Sequence, residues 1–188
     1  HHLYIHSFPT RRSSDLLAKC NTTTFIVKTG ESGMETVKRH RVIVPQHAEK
    51  ELGFLFWLLR LWTLARNTDT ELEFYASNAT LQHIKAIHAQ HPVKSKFREF
   101  SGLEFLPKIL LTLQPDDNLI VVMSRRDKPS FDPYMNKVPY LLNTSMHDQS
   151  FVLLYPMQAG IEDATQIDLK DPTFMEPIEK LVVLKKKL

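Results

Sequence analysis

The sequence is poor in cysteine and glycine. Cys20 is the only cysteine, so the chain forms neither an internal disulfide nor a thiolate zinc site, and we expect a reducing compartment. The five glycines stand apart, at 30, 33, 53, 102 and 160. Phosphate-binding loops need clustered glycines because the backbone must approach the phosphate closely. The scattered glycines therefore argue against a P-loop and against a dinucleotide-binding loop.

Long apolar segments and a concentrated basic face are also missing. A membrane helix needs about 20 consecutive apolar residues, whereas the longest candidate, 52–64, is interrupted by Arg60. The net charge is +3, of which residues 1–16 contribute +1 and the lysines at 185–187 contribute +3, so the rest of the chain is near −1. We therefore expect a soluble chain without a membrane span, and no nucleic acid among its partners.

The remaining composition is that of an ordinary globular domain, with 43% apolar and 24% charged residues in 188. The continuous Val-Ile-Val run at 42–44 suits a strand buried on both faces. Apolar residues at 53–66 recur at helical spacing. Strands and helices alternate, which predicts a single-domain α/β fold with a doubly wound parallel sheet. We expect strands at 22–28, 40–45, 71–75, 97–100, 118–124 and 150–155, and helices at 53–66, 78–89, 102–113 and 133–142.

Composition divides the chain into four segments. Residues 1–16, HHLYIHSFPTRRSSDL, share no periodicity with the rest and resemble a translated sequencing adapter, so we expect no packed role for them. Residues 17–38 are interpreted as the end of a preceding domain plus a linker. The α/β domain follows at 39–158, and 159–188 are expected to be a polar, loosely ordered tail. On this interpretation the natural protein extends upstream.

Two loops are candidates for a ligand site, because open α/β sheets bind ligands at the carboxyl ends of their strands. One loop follows the strand at 40–45, and the other follows the strand at 118–124. The second loop offers arginine, lysine and hydroxyl groups that could hold a phosphate or an acidic partner. The alternative is that these charges only solvate a loop end. The candidate ligand-binding residues are Gln46, His47, Ser124, Arg125, Arg126 and Lys128.

No set of catalytic or metal-binding residues is visible in the sequence. No serine stands in a nucleophile-elbow motif. His83 and His88 are five positions apart, which fits a helical metal pair poorly, so we expect exposed histidines. Glu49 and Glu51 precede the helix at 53–66 and are attributed to its positive N-terminal end. We predict no enzymatic activity, no catalytic residues, no metal and no cofactor, and a hydrolase or ligase is the least favoured class.

Four segments carry a family resemblance: VIVPQHAEKELGFLFWLLRLWTLA at 42–65, LEFYASNATLQHIK at 72–85, FSGLEFLPKILLTLQPDDNLIVVMSRR at 100–126 and SFVLLYPMQ at 150–158. Together they resemble the C-terminal cytosolic tail of bacterial cation:proton antiporters of the monovalent cation:proton antiporter-2 type. That tail carries two degenerate domains similar to universal stress proteins. The resemblance implies a Rossmann-like, universal-stress-protein-like fold.

The same resemblance implies a function and a set of partners. The chain would be a cytosolic regulatory or structural domain of a sodium or potassium:proton antiporter, at the cytoplasmic face of the inner membrane, with the transport portion missing. Its partner would be that membrane portion of the same polypeptide. Apart from the resemblance, a second copy in a homodimer and a small anion or nucleotide are further candidate partners. ATP-binding universal stress proteins have a glycine-rich loop where 124–129 here read SRRDKP, so their ATP-binding residues are not carried over. The alternative is a stand-alone universal-stress-type module that senses a nucleotide or another anion.

Overall fold

The computed structural model describes residues 22–31 and 33–158 of the chain. All of them belong to one compact unit of the chain, which ends at Gln158. The expectations for 1–16 and 159–188 therefore lie outside the described residues.

The described residues form one six-stranded sheet, made of β1 (Thr24–Lys28), β2 (Arg39–Ile43), β3 (Glu71–Ala76), β4 (Ser95–Glu99), β5 (Asp117–Val122) and β6 (Phe151–Tyr155). The spatial order is β1-β6-β5-β2-β3-β4. All neighbouring strands are parallel except β1, which pairs antiparallel with β6. The chain winds outward from β2 to β4 on one side and from β5 to β6 on the other, so the winding reverses between β2 and β5. The predicted α/β fold with a mostly parallel, doubly wound sheet is confirmed.

The helices found among the described residues are α1 (Phe54–Thr68), α2 (Asn78–Gln90), α3 (Leu106–Leu110) and α4 (Val138–Ser145), with 3₁₀ turns at Ala48–Lys50, Leu103–Phe105 and Pro133–Asn136. The segment at 102–113 is mostly a 3₁₀ turn and a short helix rather than one long helix. Pro107 and Pro139 both lie in the first turn of their helices, where proline is tolerated because its missing N–H has no intrahelical partner. Pro139 thus begins a helix and does not interrupt one.

Helix α2 is capped by the residue that precedes it. Ser77 is extended, and its Oγ accepts a hydrogen bond from Thr80 N at 3.3 Å. The hydroxyl therefore satisfies one of the free N–H groups at the helix start.

Each face of the sheet packs against its own pair of helices. Trp57, Leu58 and Leu61 of α1 are buried on one face, and the Trp62 ring lies 5.6 Å from that of Phe74 in β3. The opposite face packs against α3 and α4. All six residues of β5 are buried, as a strand covered on both faces requires. The core of the second face comprises Ile43, Leu103, Leu106, Ile109, Leu119, Val121, Met135, Val138, Leu142 and Leu153, among others.

Strand β1 completes one edge of this same sheet. Its five residues pair with β6 from Thr24↔Tyr155 to Lys28↔Phe151. The segment at 29–38 is tied to the sheet as well, because Gly30 N donates to Ser150 Oγ at 2.9 Å. In this structure the expected linker joins two strands of one sheet. The origin of β1 in a preceding domain stays a prediction.

Two buried carboxylates anchor arginines on the face that α3 and α4 cover. Asp117 accepts hydrogen bonds from Arg39 Nε at 2.7 Å and Nη2 at 2.9 Å, and Arg41 Nε forms an ion pair with its Oδ2 at 2.9 Å. Glu73 accepts from Arg98 Nε at 2.6 Å. The Asp117 bond is the main cause of the raised pKa of Arg39. Because Arg41 is only 6% exposed and Asp117 only 3%, loss of either partner strands a buried charge.

Replacement of Asp117 is expected to be far more costly than replacement of its neighbour. Asp116 pairs with Lys38 at 3.5 Å with side chains 41% and 82% exposed, a pair that solvent screens. Asp117→Ala should lower the free energy of unfolding by about 3 kcal/mol, and Asp116→Ala by about 0.5 kcal/mol or less. Urea denaturation of both variants measures the difference. Equal losses would contradict the role assigned to the Asp117 cluster.

A histidine is buried on the opposite face, at the start of β2. His40 is 2% exposed, and its Nδ1 lies 3.0 Å from Asn118 Nδ2, so Nδ1 accepts and the ring is neutral. Its Nε2 has no hydrogen-bond partner among the described residues. Burial lowers the pKa of His40 from its ordinary 6.5 to about 4, because the interior disfavours the charged ring.

This burial predicts a loss of stability in acid. The unfolded chain binds a proton at His40 near pH 6.5, whereas the folded chain binds it only near pH 4. Stability should therefore fall as pH drops through that window, by about 3 kcal/mol from this residue. His40→Gln keeps an acceptor for Asn118 and should remove most of this fall. Urea unfolding at several pH values measures it, with exposed His83→Gln as the control that should behave like the parent chain.

Candidate functional site

The candidate site lies where β2 and β5 end side by side. Both strands run in the same direction. The segments at 44–53 and 123–131 therefore both begin at the carboxyl ends of these strands, at the switch point of the sheet. His47 adopts a left-handed conformation with φ 65°, which turns the chain sharply after β2. This placement agrees with the expected neighbourhood of the two loops.

A buried carboxylate joins the two loops by hydrogen bonds. Ser124 Oγ donates to Glu51 Oε1 at 2.6 Å, and Ser130 Oγ donates to the same oxygen. Glu51, Ser124 and Ser130 are 7%, 5% and 4% exposed. Glu51 Oε2 is buried and has no hydrogen-bond partner among the described residues. Glu51 therefore reaches across the switch point from the β2 side to the β5 side.

The neighbouring carboxylate of Glu49 points to a different helix. Thr80 Oγ1 donates to Glu49 Oε2 at 2.8 Å, and the same hydroxyl lies 2.9 Å from Ser77 Oγ. The 3₁₀ turn at Ala48–Lys50 directs this side chain toward the start of α2. Both carboxylates therefore bind hydroxyl groups outside α1, and no side-chain hydrogen bond caps the N-terminus of that helix. Their attribution to that terminus stays a prediction.

The candidate residues of the first loop turn toward the β4 side of the sheet. Gln46 Nε2 donates to Ser101 O, just after β4, at 2.7 Å. His47 is half exposed, and its Nδ1 lies 3.9 Å from Glu49 Oε1. No hydrogen bond or ion pair between described residues joins Gln46 or His47 to the loop after β5.

The basic loop after β5 turns the other way. Arg125 Nη1 donates to Pro156 O, just after β6, at 2.6 Å. Lys128 Nζ lies 3.0 Å from Asp127 Oδ2, and this contact lowers the pKa of Asp127. Arg126 is exposed and makes no ion pair within the described part of the chain. Of the three basic residues in this loop, Arg126 is thus the exposed one.

Backbone donors at the base of this loop already have partners. Ser124 N donates to Met135 Sδ at 3.2 Å, and Lys128 N donates to Arg125 O at 3.0 Å. Burial raises the pKa of nearby Tyr155 to about 12, although Arg125 opposes the shift. Two of the N–H groups in this loop, those of Ser124 and Lys128, are therefore already engaged within the domain.

The histidines of α2 are divided between surface and core. His83 is exposed, as expected. His88 is partly buried instead, with its ring 5.3 Å from Phe97 and its Nε2 2.8 Å from Val93 O. Across the described residues, no group of three or more His, Cys, Asp or Glu side chains could hold a metal ion. Within the same residues, no helix has the length and apolar character needed to cross a membrane.

Sequence reasoning missed two members of this site. Ser130 was not considered, and Glu51 was assigned to a helix terminus. One signal was present in the sequence, because the charged loop at 124–130 begins and ends with serine. This loop follows β5, and β5 pairs with β2, the strand that precedes the segment carrying Glu51.

Comparison with known proteins adds no identification. No family model, no curated protein and no solved structure matches this chain. The functional interpretation therefore depends on the residues themselves.

Proposed function

We propose that this chain is a non-enzymatic regulatory or structural domain of a bacterial cation:proton antiporter. The family proposal is supported by the resemblance of the segments at 42–65, 72–85, 100–126 and 150–158. A mostly parallel doubly wound sheet is also the fold that this resemblance implies.

The non-enzymatic part of the proposal has one principal observation behind it. The space at the switch point, where such folds bind their ligands, is taken by Glu51 and its two serine donors. A phosphate chain entering there would meet a carboxylate of the same sign in a poorly solvated place, which is unfavourable. The observation favours a domain that works through contacts with other protein segments.

An anion-sensing module is the second candidate, and Arg126 favours it. Its guanidinium is exposed on the loop that also carries Arg125 and Lys128. Arginine recognises phosphate and carboxylate oxygens with two parallel hydrogen bonds. Such a surface site would bind weakly, because each solvated ion pair contributes little.

The antiporter proposal predicts what an intact gene encodes upstream. About a dozen apolar segments of about 20 residues each should precede residue 17. In membrane vesicles, that full-length protein should exchange sodium or potassium for protons. Removal of residues 39–158 should alter the regulation of exchange without abolishing it, because transport belongs to the membrane portion. An intact gene without such apolar segments would refute the proposal.

Nucleotide titration separates the two candidates. Isothermal calorimetry of the 188-residue chain with ATP, AMP and cyclic dinucleotides should give no saturable binding at millimolar ligand, because Glu51 occupies the crevice. Arg126→Ala should leave this result unchanged. Saturable binding that disappears in Arg126→Ala but persists in Lys108→Ala, a basic residue of α3, would instead favour the anion sensor.

A further inference from the structure

The hydroxyl groups of Ser124 and Ser130 converge on one point at the switch point. Both donate to the same oxygen of Glu51, from Ser124 at 2.6 Å, and all three side chains are more than nine-tenths buried. Hydrogen bonds that end on a carboxylate are stronger than neutral ones, and more so in a poorly solvated interior. Two buried hydroxyls that converge in this way have the donor arrangement of a site for an oxyanion.

Glu51 enters that arrangement from a different part of the chain. The serines begin and end the loop at 124–130 after β5, whereas Glu51 follows β2 and is 73 and 79 positions away from them. Its second oxygen, Oε2, is buried and has no hydrogen-bond partner among the described residues. Both hydroxyls therefore have a hydrogen-bond acceptor, whereas the carboxylate accepts hydrogen bonds from described residues at only one of its two oxygens.

We propose that Ser124 and Ser130 form a binding site for a small carboxylate, and that Glu51 occupies it as a ligand tethered to the same chain. In the native chain Glu51 excludes free anions from the hydroxyl pair. This assignment does not depend on the antiporter proposal, because it concerns only contacts within the domain.

The chemistry of the site favours a carboxylate over a metal ion or a polyphosphate. Both hydroxyls direct their hydrogens at Glu51, which suits an anion and opposes a cation. The loop at 124–130 has no glycine, and Ser124 N is engaged by Met135 Sδ, so it lacks the glycine-rich backbone that surrounds the phosphate in nucleotide-binding loops. In this structure the two hydroxyls hold one carboxylate, that of Glu51.

Chemical rescue tests this assignment in the full 188-residue chain. Glu51→Ala removes a CH₂–COO⁻ group, which acetate matches in size and charge. The variant should melt several degrees below the parent, since two buried hydroxyls lose their acceptor. Acetate at a tenfold excess over its Kd should raise the melting temperature by about 3–5 °C relative to chloride at equal ionic strength. Formate should act similarly, and the larger benzoate should do no more than chloride.

The matched control removes the donors as well. The triple variant Glu51→Ala, Ser124→Ala, Ser130→Ala should gain nothing from acetate beyond the effect of chloride. Equal rescue of the triple variant, or a folded Glu51→Ala variant that responds alike to acetate and chloride, would overturn the proposal.

A second variant covers the case in which Glu51→Ala does not fold. Glu51→Gln keeps the shape of the side chain and an acceptor oxygen, so it should fold and, like the parent, show no stabilisation by acetate over chloride. Acetate-specific stabilisation of the parent or of Glu51→Gln would mean that residue 51 does not occupy the hydroxyl pair, and the proposal would fall.

Discussion

The parallel pairing of β2 with β5 is the contact on which the rest of this domain depends. Its register places Arg39 opposite Asp117 and His40 opposite Asn118. The first pair forms a two-pronged ion pair on one face of the sheet, and the second forms a buried hydrogen bond on the other. A slip of one residue would exchange the two faces and leave both pairs without partners. The register is thus specified by polar contacts as well as by apolar burial.

The same pairing determines what lies at the carboxyl edge of the sheet. Because β2 and β5 end together, the segment carrying Glu51 meets the loop between Ser124 and Ser130. The side chains next to this contact turn away from it: Gln46 binds beyond β4 and Arg125 binds beyond β6. A switch point that is normally a crevice is therefore bridged by one carboxylate, and Arg126 is the exposed one among the three basic residues of the loop.

Local sequence was sufficient for most elements but not for their ends. The apolar run at 118–124 and the helical periodicity at 53–66 specify β5 and α1 because each reflects burial along a single element. Ser77 and Asn78 are both good caps, so the cap of α2 depends on which of them is extended. The segment at 102–113 is shorter as a helix than its apolar spacing suggests.

The sequence by itself determined the α/β class, the parallel central strands and the edge of the sheet at which the two loops lie, because alternating local patterns limit the topology. Only the tertiary structure decided the position of β1, since a short β-branched strand carries no information about its partner. It also decided the partners of Glu49 and Glu51. Charge next to a helix suggests a contact with that helix, but the hydroxyls that bind Glu51 are 73 and 79 positions away. Such contacts depend on strand order, which no local pattern encodes.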